Sequence, residues 1–212
     1  MLRLRSSGYA CLLPLIALLS CNSTRILSSW KSEDVSPQKF NKLLVIGMMG
    51  ARDESIRQNV ENAMVQQLES NGFHGVAATK QYGPRTFRDM KEEEAVKMVN
   101  GDNFDGILVI ELIDKNKEKY YNPGYISYTP YGVIRGNWWP HYSVVYDRIY
   151  SPGYYTTSTN FTLEVNLYDS RNAKLDYSAQ ARSFDPGSAA TLASDFSKTV
   201  VADMLKQGVI MK

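Results

Sequence analysis

Sulfur and imidazole are scarce in this chain. Its 212 residues include two cysteines and two histidines, and Cys11 lies inside an apolar leader, so neither a disulfide framework nor a thiolate metal centre can be assembled from the mature protein. His74 and His141 are too far apart in sequence to form a ligand pair at helical spacing. Charge of one sign is missing as well. The 24 basic side chains nearly balance the 22 acidic ones, and the longest like-charge run is Glu92-Glu93-Glu94. Nucleic acid is therefore excluded as a partner, because its binding needs a basic face that displaces counterions. Catalytic signatures are lacking too. Gly-x-Ser-x-Gly and the P-loop do not occur, and "IGMMGARDES" has two glycines where a dinucleotide fingerprint needs three and a distant acid. It is read as a plain strand-to-helix turn. No cofactor and no metal is expected.

The one long apolar run, Ala10 to Leu19, follows Arg3 and Arg5 and ends at Ser20-Cys21. At ten residues it is too short for a membrane span, which takes roughly twenty, and it has the layout of an export signal. Leu18-Leu19-Ser20-Cys21 resembles the bacterial lipobox, which implies cleavage before Cys21 and acylation of its sulfur and amine. Leu19 departs from the smaller residues more usual there. The alternative, an ordinary leader cut nearby, leaves Cys21 a free thiol. Removing residues 1–20 takes away two arginines and no acid, so 24 basic groups become 22, matching the 22 acids. Asn22 stands where an aspartate would imply retention at the inner membrane, which leans toward the outer membrane, facing the periplasm.

Residues 21–39 are polar and serine-rich and read as a tether, with Trp30 pinning its far end, so the folded domain is expected over 40–212. Leu43 to Ile46 form a continuous apolar run, as in a strand buried on both faces. A helix follows, capped by Asp53 or Ser55, striped by Ile56, Val60, Met64 and Leu68, and stopped at Asn71-Gly72. "GVAATKQY" reads as a weaker strand, Phe87 to Val99 as a second helix, and "DGILVIELID" as another buried strand. Phe161, Leu163, Val165 and Leu167 alternate with polar residues, as do Leu175, Tyr177, Ala179 and Ala181, which predicts an antiparallel hairpin. A last helix carries Leu192, Phe196, Val200 and Met204 and stops at Gly208. The order β-α-β-α-β-(insert)-β-β-α describes a single α/β (α+β) domain with helices packed on a mixed sheet.

The insert, 120–155, holds ten of the fourteen tyrosines and two of the three tryptophans. It is bracketed by "YNPGY" and "YSPGY", in which Pro-Gly favours type II turns. Tyr125, Tyr128, Tyr131, Trp138, Trp139, His141 and Tyr142 are its candidate binding residues, since such rings combine apolar area, a polar tip and few torsions. They suit a contact surface for protein or sugar, a cover over one sheet face, or the membrane interface. Glu111 is a carboxylate in an otherwise buried strand, read as paired with a lysine or placed at a sheet edge.

The lipobox cysteine, "KLLVIGMMGARDESIRQNVENAMVQQLESNGF", "DGILVIELIDKNKE", the Pro-Gly-Tyr segments, "NLYD" and "FSKTVVADMLKQG" resemble a group of uncharacterised bacterial envelope lipoproteins. The first half resembles, more loosely, the small α/β domain at the start of TolB and in the CsgG and LpoB lipoproteins. That resemblance implies a non-enzymatic role in docking or assembly. Cys21 is the one functional residue it carries over. The expected function is thus a lipid-anchored recognition or assembly module for an envelope protein or cell-wall glycan. An envelope-polymer hydrolase using Glu111 or His141, and a self-assembling subunit, are the alternatives.

Overall fold

The computed structural model describes residues 23–35, 40–84, 86–87, 90–135, 142–171 and 173–211, and for residues 92–93, 126–135 and 142–151 the backbone alone. Eight strands and four α-helices are described: β1 (Thr24–Lys31), β2 (Leu43–Met48), α1 (Glu54–Ser70), β3 (Gly75–Ala77), α2 (Ala78–Tyr82), α3 (Glu92–Gly101), β4 (Gly106–Asn122), β5 (Tyr125–Arg135), β6 (Tyr142–Ser151), β7 (Tyr154–Asp169), β8 (Lys174–Phe184) and α4 (Ala189–Lys206). Six strands form one mixed sheet in the order β1-β8-β7-β4-β2-β3, and β5 pairs with β6 in a separate two-stranded sheet. β2 runs parallel to β3 and β4; β7, β8 and β1 are antiparallel to their neighbours. The mixed α/β domain expected from the sequence is the one observed.

Alternate residues of β2 explain why its run is apolar throughout. Leu43 and Val45 enter the main core with Val60, Met64 and Leu68 of α1 and Phe196, Val200 and Met204 of α4. Leu44 faces the other side, among Ala78, Val99 and Phe104 beneath α2 and α3. Each of these buried side chains larger than alanine contributes about 1.5–3 kcal/mol. Beyond β4 that second face turns polar: Glu164 accepts hydrogen bonds from Asn166 (3.0 Å) and Gln180 (2.8 Å). This is the half-covered antiparallel arrangement that the alternation in β7 and β8 predicts.

Helix ends follow local chemistry. Gly72 takes φ 89° and the Phe73 amide reaches back to the Leu68 carbonyl at 3.0 Å, closing α1 in a Schellman motif. Gly208 at φ 66° and Val209, whose amide bonds to Met204 O at 2.9 Å, do the same for α4. Ser188 caps α4 by accepting from the Thr191 amide at 3.1 Å.

Five expectations are corrected. Thr24–Lys31, expected in the tether, is an edge strand, anchored by Ser23 Oγ on Asp195 (3.0 Å) and by Lys31 Nζ on the Gln207 carbonyl (3.0 Å). Trp30 does not pin anything to the core; it is 51 % exposed. The strand at Gly75 stops after three residues and becomes α2. α3 starts at Glu92 rather than near Phe87. Asp53 makes no side-chain cap to α1; it pairs instead with Lys115 at 2.8 Å.

Candidate functional site

β4 and β7 are much longer than the sheet needs. β2 accompanies β4 only as far as Glu111, and β8 accompanies β7 only from Asn160. Past those points β4 and β7 continue alone as a two-stranded ribbon, paired out to Asn122↔Tyr154, after a bulge that sets Ile113 out of register. The pairing then resumes as Tyr125↔Ser151 in β5 and β6. Pro123-Gly124 and Pro152-Gly153 therefore face each other across a joint in one long hairpin.

The type II turn expected at Pro152-Gly153 is not what forms. The backbone of Gly153 stays outside the left-handed region that such a turn requires, and both strands keep their partners on either side of the joint. Tertiary pairing has overridden the local turn preference. The glycine instead makes room for a ring: a Cβ at Gly153 would lie 2.7 Å from Cζ of Tyr121, whose ring passes over it to meet Tyr155 at 5.1 Å between centroids.

Five tyrosines surround the joint, all more than half exposed: Tyr120, Tyr121, Tyr125, Tyr154 and Tyr155. They do not pack as a cover on the sheet. Tyr120 donates to Glu118, and that bond to the carboxylate raises the phenol above its ordinary value. Tyr125, at the start of β5, is 66% exposed. Tyr128 and Tyr131 lie in β5, with Tyr131 at a bulge between Pro130 and Gly132, and Tyr142 begins β6; only their backbone is described. Trp138, Trp139, His141 and Cys21 lie outside the described residues.

Glu111 is not at an edge, and among the described residues it meets no lysine. It sits within β4 directly opposite Glu164. The residues sequence reasoning passed over are Glu61 and Arg57, which line a cleft of about 300 Å³ with Ile46, Met49, Thr79 and Phe87. The cleft opens at the carboxyl end of β2, the usual ligand position in parallel sheets. Glu61, 1 % exposed, accepts from the amides of Gly47 and Thr79, both at 2.9 Å. Arg57 Nη2 donates to the Pro84 carbonyl and to Glu54, while its Nε is buried with no acceptor among the described residues. The signal was present in the sequence: Arg57 and Glu61 share the stripe of Met64 and Leu68 at helical spacing.

Among the described residues no group of acidic, histidine or cysteine side chains could hold a metal, and no helix is long and apolar enough to cross a membrane. No protein-family model and no curated protein matches the chain. Among solved structures it is similar to the PelC dodecamer from Paraburkholderia phytofirmans, at 9% identity and TM-score 0.47, over 84% of this chain and 95% of that one. It is also similar to lipoprotein GNA1162 from Neisseria meningitidis, at 15% identity and TM-score 0.41, over 78% of this chain and 99% of that one.

Proposed function

We propose that this chain is a lipid-anchored, non-enzymatic envelope protein that recognises an envelope protein or cell-wall glycan through its Tyr/Trp-rich arm, with Cys21 as the acylated residue. The observation that carries this reading is the projecting ribbon: five tyrosines around its joint are exposed rather than packed on the sheet. Large rings held on a rigid element lose little entropy when they bind, so they suit a contact surface. The leader and lipobox support export and anchoring. Chemistry finds no comparable support, since Glu61 is occupied by backbone donors and Glu111 faces another carboxylate.

The test is a version lacking residues 126–149, compared with the intact protein for binding to purified cell-wall glycan and for partners crosslinked in cells from probes at Trp138 and Trp139. Loss of binding with unchanged thermal stability is expected. Retention of the same partners by the shortened protein would overturn the reading. A second reading, self-assembly, is favoured by the isolated β5–β6 sheet, because a two-stranded sheet offers open edges to another copy. Sizing the intact and shortened proteins separates it from the first.

A further inference from the structure

The place where the chain enters the fold constrains how the domain can meet a membrane. Thr24 pairs with Ser183, Ser183 with Phe161, and Phe161 with Lys115. The start of β1 is thus level with the base of the ribbon and at the same end of the sheet. Ser23 is already held there, its carbonyl accepting from the Phe184 amide at 3.0 Å and its hydroxyl donating to Asp195. From Cys21 to Thr24 the chain can reach at most ~11 Å. Tyr121 lies six residues beyond Lys115 along β4, which is ~20 Å further out at the rise of a strand. With acyl chains on Cys21, the ribbon cannot point away from the bilayer, because the tether is too short to run back past the sheet.

The two faces of the ribbon differ in chemistry. Residues directly opposite in the ladder share a face, so Lys115, Lys117, Lys119 and Tyr121 stand together with Thr159, Thr157 and Tyr155. Lys117 and Lys119 are exposed and have no ion-pair partner among the described residues. The acids nearest this face are engaged: Asp53 with Lys115, and Asp185 with the Thr159 amide at 3.0 Å. The opposite face carries Asp114, Asn116, Glu118 and Tyr120. One side is therefore a row of lysines ending in a tyrosine pair, and the other is acidic.

We infer that the Lys117–Lys119–Tyr121–Tyr155 face lies on the anionic headgroups of the same leaflet that holds the lipids of Cys21, setting the orientation of the whole domain. Lysine near an anionic surface and tyrosine at headgroup depth are both favoured. This rests on the anchoring part of the proposed function and goes beyond it, since the arm past the joint is then presented at the membrane surface.

The acylated protein is reconstituted in vesicles of phosphatidylethanolamine and phosphatidylglycerol, with a single introduced thiol carrying an environment-sensitive dye. One version places it at Lys119→Cys, and the other at Glu69→Cys at the far end of α1. Quenching by headgroup-nitroxide lipid is expected to be several-fold stronger at 119 than at 69. That difference should fall when Lys117→Glu is added or when phosphatidylcholine replaces both lipids. Co-flotation with equal quenching at the two positions overturns this inference alone. Failure to co-float, with an unmodified Cys21 by mass spectrometry, overturns the anchoring and this inference together.

Discussion

The carboxylate of Glu61, in the middle of α1, accepts the backbone N–H of Thr79 at 2.9 Å and so caps α2 from outside it. Its other oxygen holds the Gly47 amide at the end of β2. One buried side chain thus ties α1, β2 and α2 around the cleft. Glu61→Ala leaves these buried amides without an acceptor, and a bond to a charged group is worth about 1.5–3 kcal/mol. The expected loss is about 3 kcal/mol in urea unfolding, accompanied by faster amide exchange over Ala78–Tyr82. A loss below about 0.5 kcal/mol, the range of ordinary surface substitutions, would show that the brace is not needed.

Two glycines test the difference between a tight core and a tight surface. At Gly106 a Cβ would sit 2.6 Å from Leu43 Cδ2 and 2.8 Å from the Phe40 ring, inside the main core. Gly106→Ala is expected to destabilise by about 1–3 kcal/mol through overpacking. At Gly153 the same addition meets the outer end of the exposed Tyr121 ring, which can swing aside. Gly153→Ala is expected to leave stability within about 0.5 kcal/mol while separating Tyr121 from Tyr155, seen as a change in their ring proton shifts. Equal losses at both positions would contradict this.

What was legible in the sequence is what the core dictates. The stripe of α1, the continuous run of β2 and the alternation in β7 and β8 each follow from burial on one face or two, and all are observed. What was not legible depends on distant partners. β1 lies at the sheet edge with Thr24 as its one buried residue, so it has no apolar alternation and reads as a tether. α2 is started by Glu61, seventeen residues before Ala78 in the chain. Pro-Gly promises a turn, yet the strands on either side of the joint keep the same partners across it. Composition singled out the aromatic insert, but of the five exposed tyrosines only Tyr125 stood among the named candidates; Tyr121 and Tyr155, like the lysine face, needed the register of β4 against β7.

Asp176 interrupts the register of β8 opposite β7 and is 3 % exposed, with Oδ2 lacking a hydrogen-bond partner among the described residues. Burial, and then the neighbouring Asp169 charge, hold its carboxyl above the ordinary value. A raised folded-state value means the native state keeps the proton longer than the unfolded chain. Stability from this group is therefore full below the unfolded value, about 3.9, and is lost as pH rises through the folded one. Asp176→Asn removes that loss, so the variant is expected to be more stable than the parent at neutral pH, with the gain vanishing at acid pH. Melting temperatures across that range decide it; a destabilised variant at neutral pH would refute the account.

Tyr177 sits in the main core, fully buried, and donates to Asp203 at 2.7 Å. Burial, reinforced by the bond to Asp203, pushes its phenol far above the usual range. The unfolded chain releases this proton near pH 10, while the native state retains it. Stability from Tyr177 is thus complete below pH ~10 and declines above it, as the unfolded state alone ionises. Tyr177→Phe removes that alkaline slope. At neutral pH Asp203 keeps its bond from Gln207 Nε2 at 2.7 Å, so the expected loss there is about 1 kcal/mol, that of one hydrogen bond. Urea unfolding from neutral to strongly alkaline pH should show the parent losing stability more steeply than the variant, with the difference between them narrowing. Parallel curves would mean that the buried phenol does not resist ionisation in the folded protein.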